Sequence, residues 1–272
     1  MGPAHRRRGL HSVFERAFDE QRRALVGWAA GLGGLGLVML GMYPSVRGNR
    51  SFAKLLEAYP QALRTLFGLA DYTSGPGYLR AEIFSLTGPL LFVIFAILWG
   101  TDLTAGEEER RTVDILLANP VSRARVVVEK WAAMVVGVLV VAASLGLVLV
   151  LIGPAVKLHV GLVALSAAIV STALLAVLFG TLGLAVGAAT GHRGLARGVT
   201  ALAAVAAYLL SSLPELVSWL RPARPLSPWY HALGVDPMGT GYRPLHLLVL
   251  LAMTAVCLAV ATVSFDRRDL AT

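Results

Sequence analysis

Six apolar runs, each about 20 residues long or longer, constrain the fold of this chain more than any other feature. A helix of that length crosses the hydrocarbon core of a bilayer, whereas a β-barrel would need short segments of alternating polarity, which are absent. The charged residues, 15% of the total against about 25% in soluble proteins, collect between the runs. The sequence therefore predicts an all-α polytopic membrane protein that forms a single domain over residues 1–272. The six expected transmembrane helices cover about 24–43, 83–103, 131–152, 160–189, 196–213 and 245–265.

The formal net charge of +8 is a property that nucleic-acid-binding proteins share with many membrane proteins. In membrane proteins Lys and Arg gather on the cytoplasmic side and near anionic lipid, so we expect contacts with membrane lipid and no nucleic-acid partner. The segments between the six runs must alternate between the two sides of the membrane. Lys and Arg are more frequent in the segments on the side of the N-terminus. The sequence therefore predicts that both termini are cytoplasmic.

Ionisable residues are missing from the middle of the apolar runs. Asp102, Lys157, His159 and Glu215 lie at the edges, whereas proton-coupled pumps and ion-coupled carriers keep such groups at mid-membrane. This pattern counts against a stand-alone channel or an ion-coupled carrier. The single cysteine, Cys257, allows neither a disulfide framework nor a metal cluster within the chain. No phosphate-binding Gly-x-x-x-x-Gly-Lys-Ser/Thr loop occurs, so we expect no catalytic residue, no metal site and no bound cofactor in this chain.

The first 25 residues include a stretch with an amphipathic helical pattern. In residues 10–25 the apolar side chains, among them Phe14 and Phe18, share one helical face, and the charged side chains lie mostly on the other. A basic amphipathic helix beside a span normally lies in the membrane interface. We therefore expect an N-terminal amphipathic interface helix that is distinct from the first span.

Two longer loops connect spans on the side away from the termini. Loop 44–82 has apolar residues at helical spacing, which indicates short surface helices that either gate an exit or cover helix ends. Loop 214–244 contains several prolines together with Trp219, Trp229 and Tyr230. Because Trp and Tyr prefer the headgroup level, we expect an irregular hairpin at the membrane interface.

Glycines spaced four residues apart occur in two of the spans. Gly27 and Gly31 form such a pair in the first span, and Gly183 and Gly187 form one in the fourth. Small residues at this spacing let transmembrane helices approach closely. The two pairs are therefore predicted to be sites of helix packing.

A charged segment, residues 104–130, separates the second and third apolar runs. Thr104 and Glu107 have the spacing of a capping box, and Glu107 to Glu109 would lie in the first turn, where the helix dipole favours negative charge. Asn119-Pro120 would end that helix, and Ser122 could cap the next one. The segment is therefore predicted to fold as a helix, a sharp break and a second helix that continues into the third span.

The order of residues in this segment resembles the cytoplasmic loop of ABC-2-type permeases, the membrane subunits of ATP-binding cassette exporters. Those loops contain a pattern close to E-x-x-x-G-T-x-x-x-L-L-x-x-P-x-S-R-x-x-x-x-x-x-K. The glycine before the threonine is replaced here by Arg111, which leaves that one turn unmatched. The matching residues are Glu108, Thr112, Leu116, Leu117, Pro120, Ser122, Arg123 and Lys130.

The resemblance implies a cytoplasmic coupling helix at 105–118, between spans 2 and 3, that is seated in a groove of a separate ATPase subunit. It also implies that ATP and Mg²⁺ bind the partner ATPase, and that a second permease subunit completes a homo- or heterodimer in a prokaryotic cytoplasmic membrane. The residues expected to couple to the ATPase are Glu107, Glu108, Glu109, Arg110, Arg111, Thr112, Asp114, Leu116, Leu117, Pro120, Ser122 and Arg123.

The function expected from these features is that of a permease subunit that exports a hydrophobic or lipid-like small molecule. The alternative is a membrane anchor that relays ATPase motion to an outer-side partner without transport. A large outer domain would favour the anchor, and the longest outer loop has only about 40 residues. Copurification of an ATPase with the chain would discriminate both possibilities from a channel that acts alone.

Overall fold

The computed structural model describes residues 13–49, 51, 54, 56, 58–60, 71–105 and 122–267. Every regular element in this part of the chain is helical, and six helices are long and apolar enough to cross a membrane. The predicted fold class, an all-α polytopic membrane protein, is confirmed. The helices are α1 (Val13–Val46), α2 (Gly75–Asp102), α3 (Arg123–Ile152), α4 (Leu162–Thr190), α5 (Arg193–Ser212) and α6 (Pro244–Arg267).

Helix α4 is at the centre of the bundle. It packs against α2, α3, α5 and α6, while α1 packs mainly along α3. In an apolar 18-residue stretch of each helix, 61% of α2 and 61% of α4 are buried within the chain, against 17% of α6. Since lipid solvates apolar side chains as well as a protein interior does, the peripheral helices need no further cover to be stable in a bilayer.

The N-terminal amphipathic stretch is not a separate interface helix, and this corrects the prediction. Residues from Val13 onward belong to α1, which continues without a break to Val46. The apolar face of the stretch packs on the bundle instead of on lipid, because Ala17 is buried and the ring of Phe18 lies 6.2 Å from that of Trp99. Phe14 stacks on Phe18 at the same distance and extends this contact.

Helices α2 and α4 cross at two glycines, Gly100 and Gly180, that lie outside the two predicted glycine pairs. A Cβ atom at Gly100 would overlap the backbone carbonyl oxygen of Gly180. A Cβ atom at Gly180 would lie 2.7 Å from Met134 Sδ and 2.9 Å from Ala96 O. The two backbones are therefore in direct contact, which a side chain on either residue would prevent. Next to this crossing, Gly137 of α3 leaves the space that the ring of Trp99 occupies.

The two predicted glycine pairs differ in their surroundings. Gly183 faces Thr101, and Gly187 faces Thr104, so both lie where α4 meets the end of α2. A Cβ atom at Gly27 or Gly31 would have no described atom within 4 Å. The predicted packing at this first pair is thus not found among the described residues, because α1 turns a different face to its neighbour α3. The glycines on that face are Gly33 and Gly36, where an added Cβ atom would lie within 4 Å of Ser144, Leu145 or Val148.

Part of loop 214–244 packs inside the bundle, in addition to the interfacial position that the sequence predicts for it. Trp229 is only 3% exposed and donates from Nε1 to the carbonyl of Ala204 in α5, at 3.1 Å. Ser227, which is also buried, donates to Ala207 O at 2.6 Å. Trp219 remains 78% exposed, as an interface residue would be. The loop therefore folds back between α5 and α6, because its buried polar groups find partners on the α5 backbone.

Helix α2 begins earlier than the predicted start at residue 83, so that Arg80 and Glu82 lie inside it. Both belong to a π-helical turn, Arg80–Phe84. Arg80 forms an ion pair with Asp236 of the 214–244 loop at 3.0 Å, and Glu82 accepts a hydrogen bond from Tyr72. Burial and this carboxylate raise the pKa of Tyr72 above its ordinary value, so its hydroxyl remains the donor at neutral pH. Charged residues that are paired in this way can lie inside a membrane-spanning helix, although hydropathy alone places the start of the span after them.

Candidate functional site: the coupling junction

Most of the residues predicted to couple to an ATPase, from Glu107 to Pro120, lie outside the described residues. The structure does describe both ends of their segment, Leu103–Ala105 and Ser122–Lys130, and the groups that hold these ends. We call the following residues at and around these ends the coupling junction: Thr101, Asp102, Leu103, Thr104, Ser122, Arg123, Lys130, Arg193 and Arg197. The end of the bundle that contains the junction is called the loop end, and the other is called the opposite end.

Ser122 begins α3 as the sequence predicts. Its backbone is extended, with φ −64° and ψ 141°, and its hydroxyl accepts a hydrogen bond from the backbone N–H of Arg125 at 3.4 Å. The cap satisfies one of the backbone donors that a helix leaves unpaired in its first turn. The third span therefore starts at a defined residue, directly after the charged segment.

Replacing Ser122 by alanine removes this cap without changing the fold. We expect the α3 N-terminus to lose about 1 kcal/mol, as helices do when a Ser cap is lost. Hydrogen exchange of the amides of residues 123–127 measures the effect, and Ser122→Asp, which keeps an acceptor, is the matched control. Equal exchange rates in the alanine variant and the parent protein would contradict the assignment.

Lys130 joins α3 to the end of α2. Its side chain is 2% exposed, and Nζ donates to the carbonyl oxygen of Leu103 at 2.8 Å. That carbonyl belongs to the last turn of α2, where the helix dipole attracts a cation. The pattern match at Lys130 thus corresponds to a buried contact that ties the two ends of the charged segment together.

Asp102 joins α2 to α5 through two arginines. Its carboxylate lies 2.6 Å from Arg193 Nε and 2.9 Å from Arg197 Nη2, and Arg193 Nη2 also donates to it at 3.1 Å. The Asp102 side chain is 14% exposed, whereas those of both arginines are about one-third exposed. Since α5 begins at Arg193, one carboxylate at the end of α2 holds the first turns of another span.

Two threonines fasten the same turn of the chain to neighbouring helices. Thr104 is buried and donates to Leu184 O of α4 at 3.4 Å. Thr101 accepts from Arg197 Nε at 3.3 Å while it donates to Ile97 O in its own helix. The predicted capping partner of Thr104, Glu107, is outside the described residues, so the capping box stays a prediction.

Arg123 extends the junction to α6. Its Nη1 atom donates to the backbone carbonyl of Asp266, near the end of α6, at 3.4 Å. Through this and the preceding contacts, the two ends of the charged segment are bonded to α3, α4, α5 and α6. A force on that segment would therefore reach several spans at once, which is the mechanical property that a coupling element needs.

The sequence predicts only part of this junction. Ser122, Arg123 and Lys130 belong to the pattern of the charged segment. Asp102 stands out only as a residue at the edge of a span, and no sequence pattern marks Arg193 or Arg197. The available signal was that charges stand at the ends of two different spans with opposite sign, but the sequence does not show that these ends meet.

A family model described as an ABC-2 family transporter protein matches residues 69–270 of the chain. The match includes five of the six spans and the whole coupling junction. Among curated proteins, no relative matches the sequence. The matched region and the six membrane-spanning helices agree with each other, and the chain belongs to the ABC-2 family of transporter proteins, as a multi-pass membrane subunit of an ATP-binding cassette transporter.

Proposed function

We propose that the chain is the permease subunit of an ATP-driven exporter, and that a separate ATPase drives it through the helix at 105–118. The observation that supports this most directly is the coupling junction, in which both ends of the 106–121 segment are bonded to other spans. The chain lacks a phosphate loop, so ATP and Mg²⁺ bind the partner. A second permease subunit, identical or related, supplies the other half of the transport path in a prokaryotic cytoplasmic membrane.

The proposed mechanism is a mechanical relay. When the ATPase subunits close on ATP, they displace helix 105–118 at the cytoplasmic surface, where both termini also lie. The Lys130–Leu103 bond keeps the ends of α2 and α3 together, and Asp102 makes α5 follow α2. Because these contacts are short and largely shielded, the movement passes to the spans instead of being absorbed in the loop. A path between the two permease subunits then opens outward.

The proposed substrate is a hydrophobic or lipid-like small molecule. The described spans present apolar surfaces over most of their length, and their charged groups lie near the two ends, several of them in ion pairs. An ionic substrate would need charged or polar partners at mid-membrane, since an unpaired charge there is costly. Hydrophobic cargo needs none, and the same apolar helices can accompany it through the membrane.

Changes in the coupling helix test the relay directly. Val113→Pro should break the helix, at a cost of about 3 kcal/mol, and uncouple ATP hydrolysis from transport. Replacing Glu107, Glu108 and Glu109 by lysine should have the same effect, because positive charges are unfavourable at the helix N-terminus. The measurement compares ATPase rate and transport in vesicles that contain the copurified complex.

The control for these variants is Glu20→Lys, which disrupts only the exposed Arg16–Glu20 pair on α1. Unchanged transport in both coupling variants would exclude the proposed relay. ATPase stimulation by the parent chain without any transported lipid or hydrophobic compound would instead support a membrane anchor.

A further inference from the structure

An apolar groove lies between α3, α4 and α6 and extends along α3 from Trp131, next to the coupling junction, toward the opposite end. It has a volume of about 740 Å³ and is partly open to the surroundings. Its walls include Leu139, Gly146 and Val150 of α3, Val163 and Ile169 of α4, and Leu251 of α6. Nothing in the proposed relay uses this groove.

The polar groups that line the groove are already bonded within the protein. Ser166 donates to Val163 O at 3.1 Å, and Thr254 donates to Leu250 O at 2.8 Å. At the loop end, the indole N–H of Trp131 donates to Thr181 Oγ1 at 2.8 Å. Each of these donors is thus occupied, and the lining favours an occupant that is hydrocarbon along its length.

The dimensions of the groove suit a small hydrocarbon occupant. Along α3 it extends from Trp131 to Val150, a rise of about 28 Å, close to the thickness of a bilayer's hydrocarbon core. Its volume lies in the range of about 300–1,000 Å³ that holds small molecules. An acyl chain reaches from one membrane surface to about the middle of that core, so it can follow the half of the groove nearest its headgroup.

The opposite end of the groove is bordered by basic residues. Lys157 and His159 lie, exposed, in the short segment that connects the two walls, α3 and α4. Arg243, also exposed, immediately precedes α6, and a Cβ atom at neighbouring Gly241 would lie 3.8 Å from Val163 of the wall. No acidic residue occurs in residues 153–163 or 237–251. This charge pattern complements an anionic headgroup at the level where a phospholipid in the groove would place it.

From the shape, the lining and the charge, we infer that the groove binds one acyl chain of an anionic membrane phospholipid, with its phosphate beside Lys157, His159 and Arg243. The acyl chain gains no hydrophobic free energy when it moves from the bilayer into the groove. Binding therefore depends on close packing in the groove and on the headgroup contacts. The site holds lipid whether or not the ATPase is active, and its test is therefore independent of the proposed relay.

The test uses phosphatidylglycerol with a photoreactive group at the middle of one acyl chain. The full chain, with any subunits that it retains, is reconstituted in vesicles and irradiated, and the labelled residues are mapped by mass spectrometry. We expect labels to concentrate on the α3 and α4 walls, with loss of this excess in Ala143→Trp, which fills the groove. Ala252→Trp on α6 is the matched control, because Ala252 is exposed at a similar depth and does not line the groove.

A second arm repeats the experiment with photoreactive phosphatidylcholine, which has no net charge, and compares its labels with those of phosphatidylglycerol. The anionic lipid should label the walls more strongly, and this difference should disappear in the double variant Lys157→Gln, Arg243→Gln. Labels spread evenly over the exposed faces of all six helices would overturn the inference, as would wall residues that crosslink to a second copy of the chain. If Ala143→Trp fails to fold, the label map of the parent protein and the lipid comparison still decide the question.

Discussion

Replacing Gly100 by valine should remove most of the folded protein from detergent extracts of the membrane. A side chain at this position would overlap the carbonyl oxygen of Gly180, and backbone atoms cannot move aside as a flexible side chain can. Overpacking usually costs about 1–3 kcal/mol, and we expect at least the upper value because the clash lies where α2 crosses the central helix α4. Gly180→Val should be equally damaging. The measurement is the thermal midpoint of the monomeric fraction in fluorescence-detected size-exclusion chromatography.

Gly31→Val provides the matched control, since it makes the same change in another span. The structure leaves the position of a Cβ at Gly31 without a described neighbour within 4 Å, so the thermal midpoint should stay within the error of the parent protein. A Gly31 variant as unstable as the Gly100 variant would contradict the described pairing of helices. Normal stability of the Gly100 variant would do the same.

Replacing Asp102 by asparagine should leave the protein folded and uncouple it. The change removes the negative charge that holds Arg193 and Arg197 together, each of which makes charge-assisted contacts with it. Hydrogen bonds to charged groups contribute about 1.5–3 kcal/mol each. We expect a smaller contribution here because both arginines are about one-third exposed. A loss of about 1.4 kcal/mol in the coupling free energy between α2 and α5 is enough to lower transport per ATP hydrolysed about tenfold. Transport and ATP hydrolysis are measured together in vesicles.

The control for Asp102 is Glu129→Gln, which removes a carboxylate from the nearby Arg125–Glu129 pair. That pair joins two residues of one helix, and Arg125 is 69% exposed, so its loss should leave coupling unchanged. The exchange Asp102→Arg with Arg197→Asp should restore part of the transport, because it rebuilds an ion pair between α2 and α5. Full coupling in Asp102→Asn, or equal loss in Glu129→Gln, would show that the junction has no role in the relay.

The spans were predictable because each is decided within its own residues. About 20 apolar residues in succession can satisfy their backbone in hydrocarbon as a helix, whatever their neighbours are. The same holds for Ser122, whose cap depends on residues only three positions away. The Ser122 prediction is confirmed for this reason. The start of α2 was predicted too late because the partner that stabilises Arg80, Asp236, lies far along the chain.

The candidate site was predictable only in part. Segment 104–130 stood out by its charge and its pattern, and the Glu107–Leu117 assignments remain predictions outside the described residues. Asp102, Arg193 and Arg197 became a site only when the structure brought the ends of α2 and α5 together. Glycine spacing was a weaker guide still. Gly27 and Gly31 have the expected motif and an open face, while Gly100 and Gly180 have no glycine four residues away and lie where two helix backbones touch.

The sequence by itself determined the class of protein, the number of spans and the position of the charged segment between the second and third. These properties follow from local hydropathy and short-range hydrogen bonding, which involve residues close in the chain. The tertiary structure decided which helix faces meet, which charges pair and that loop 214–244 enters the bundle. In a bilayer, lipid and protein are equally apolar, so the hydrophobic pattern does not distinguish a packed face from a lipid-facing one. Only the close fit of particular residues, such as Gly100 on Gly180 or Asp102 between two arginines, makes that distinction.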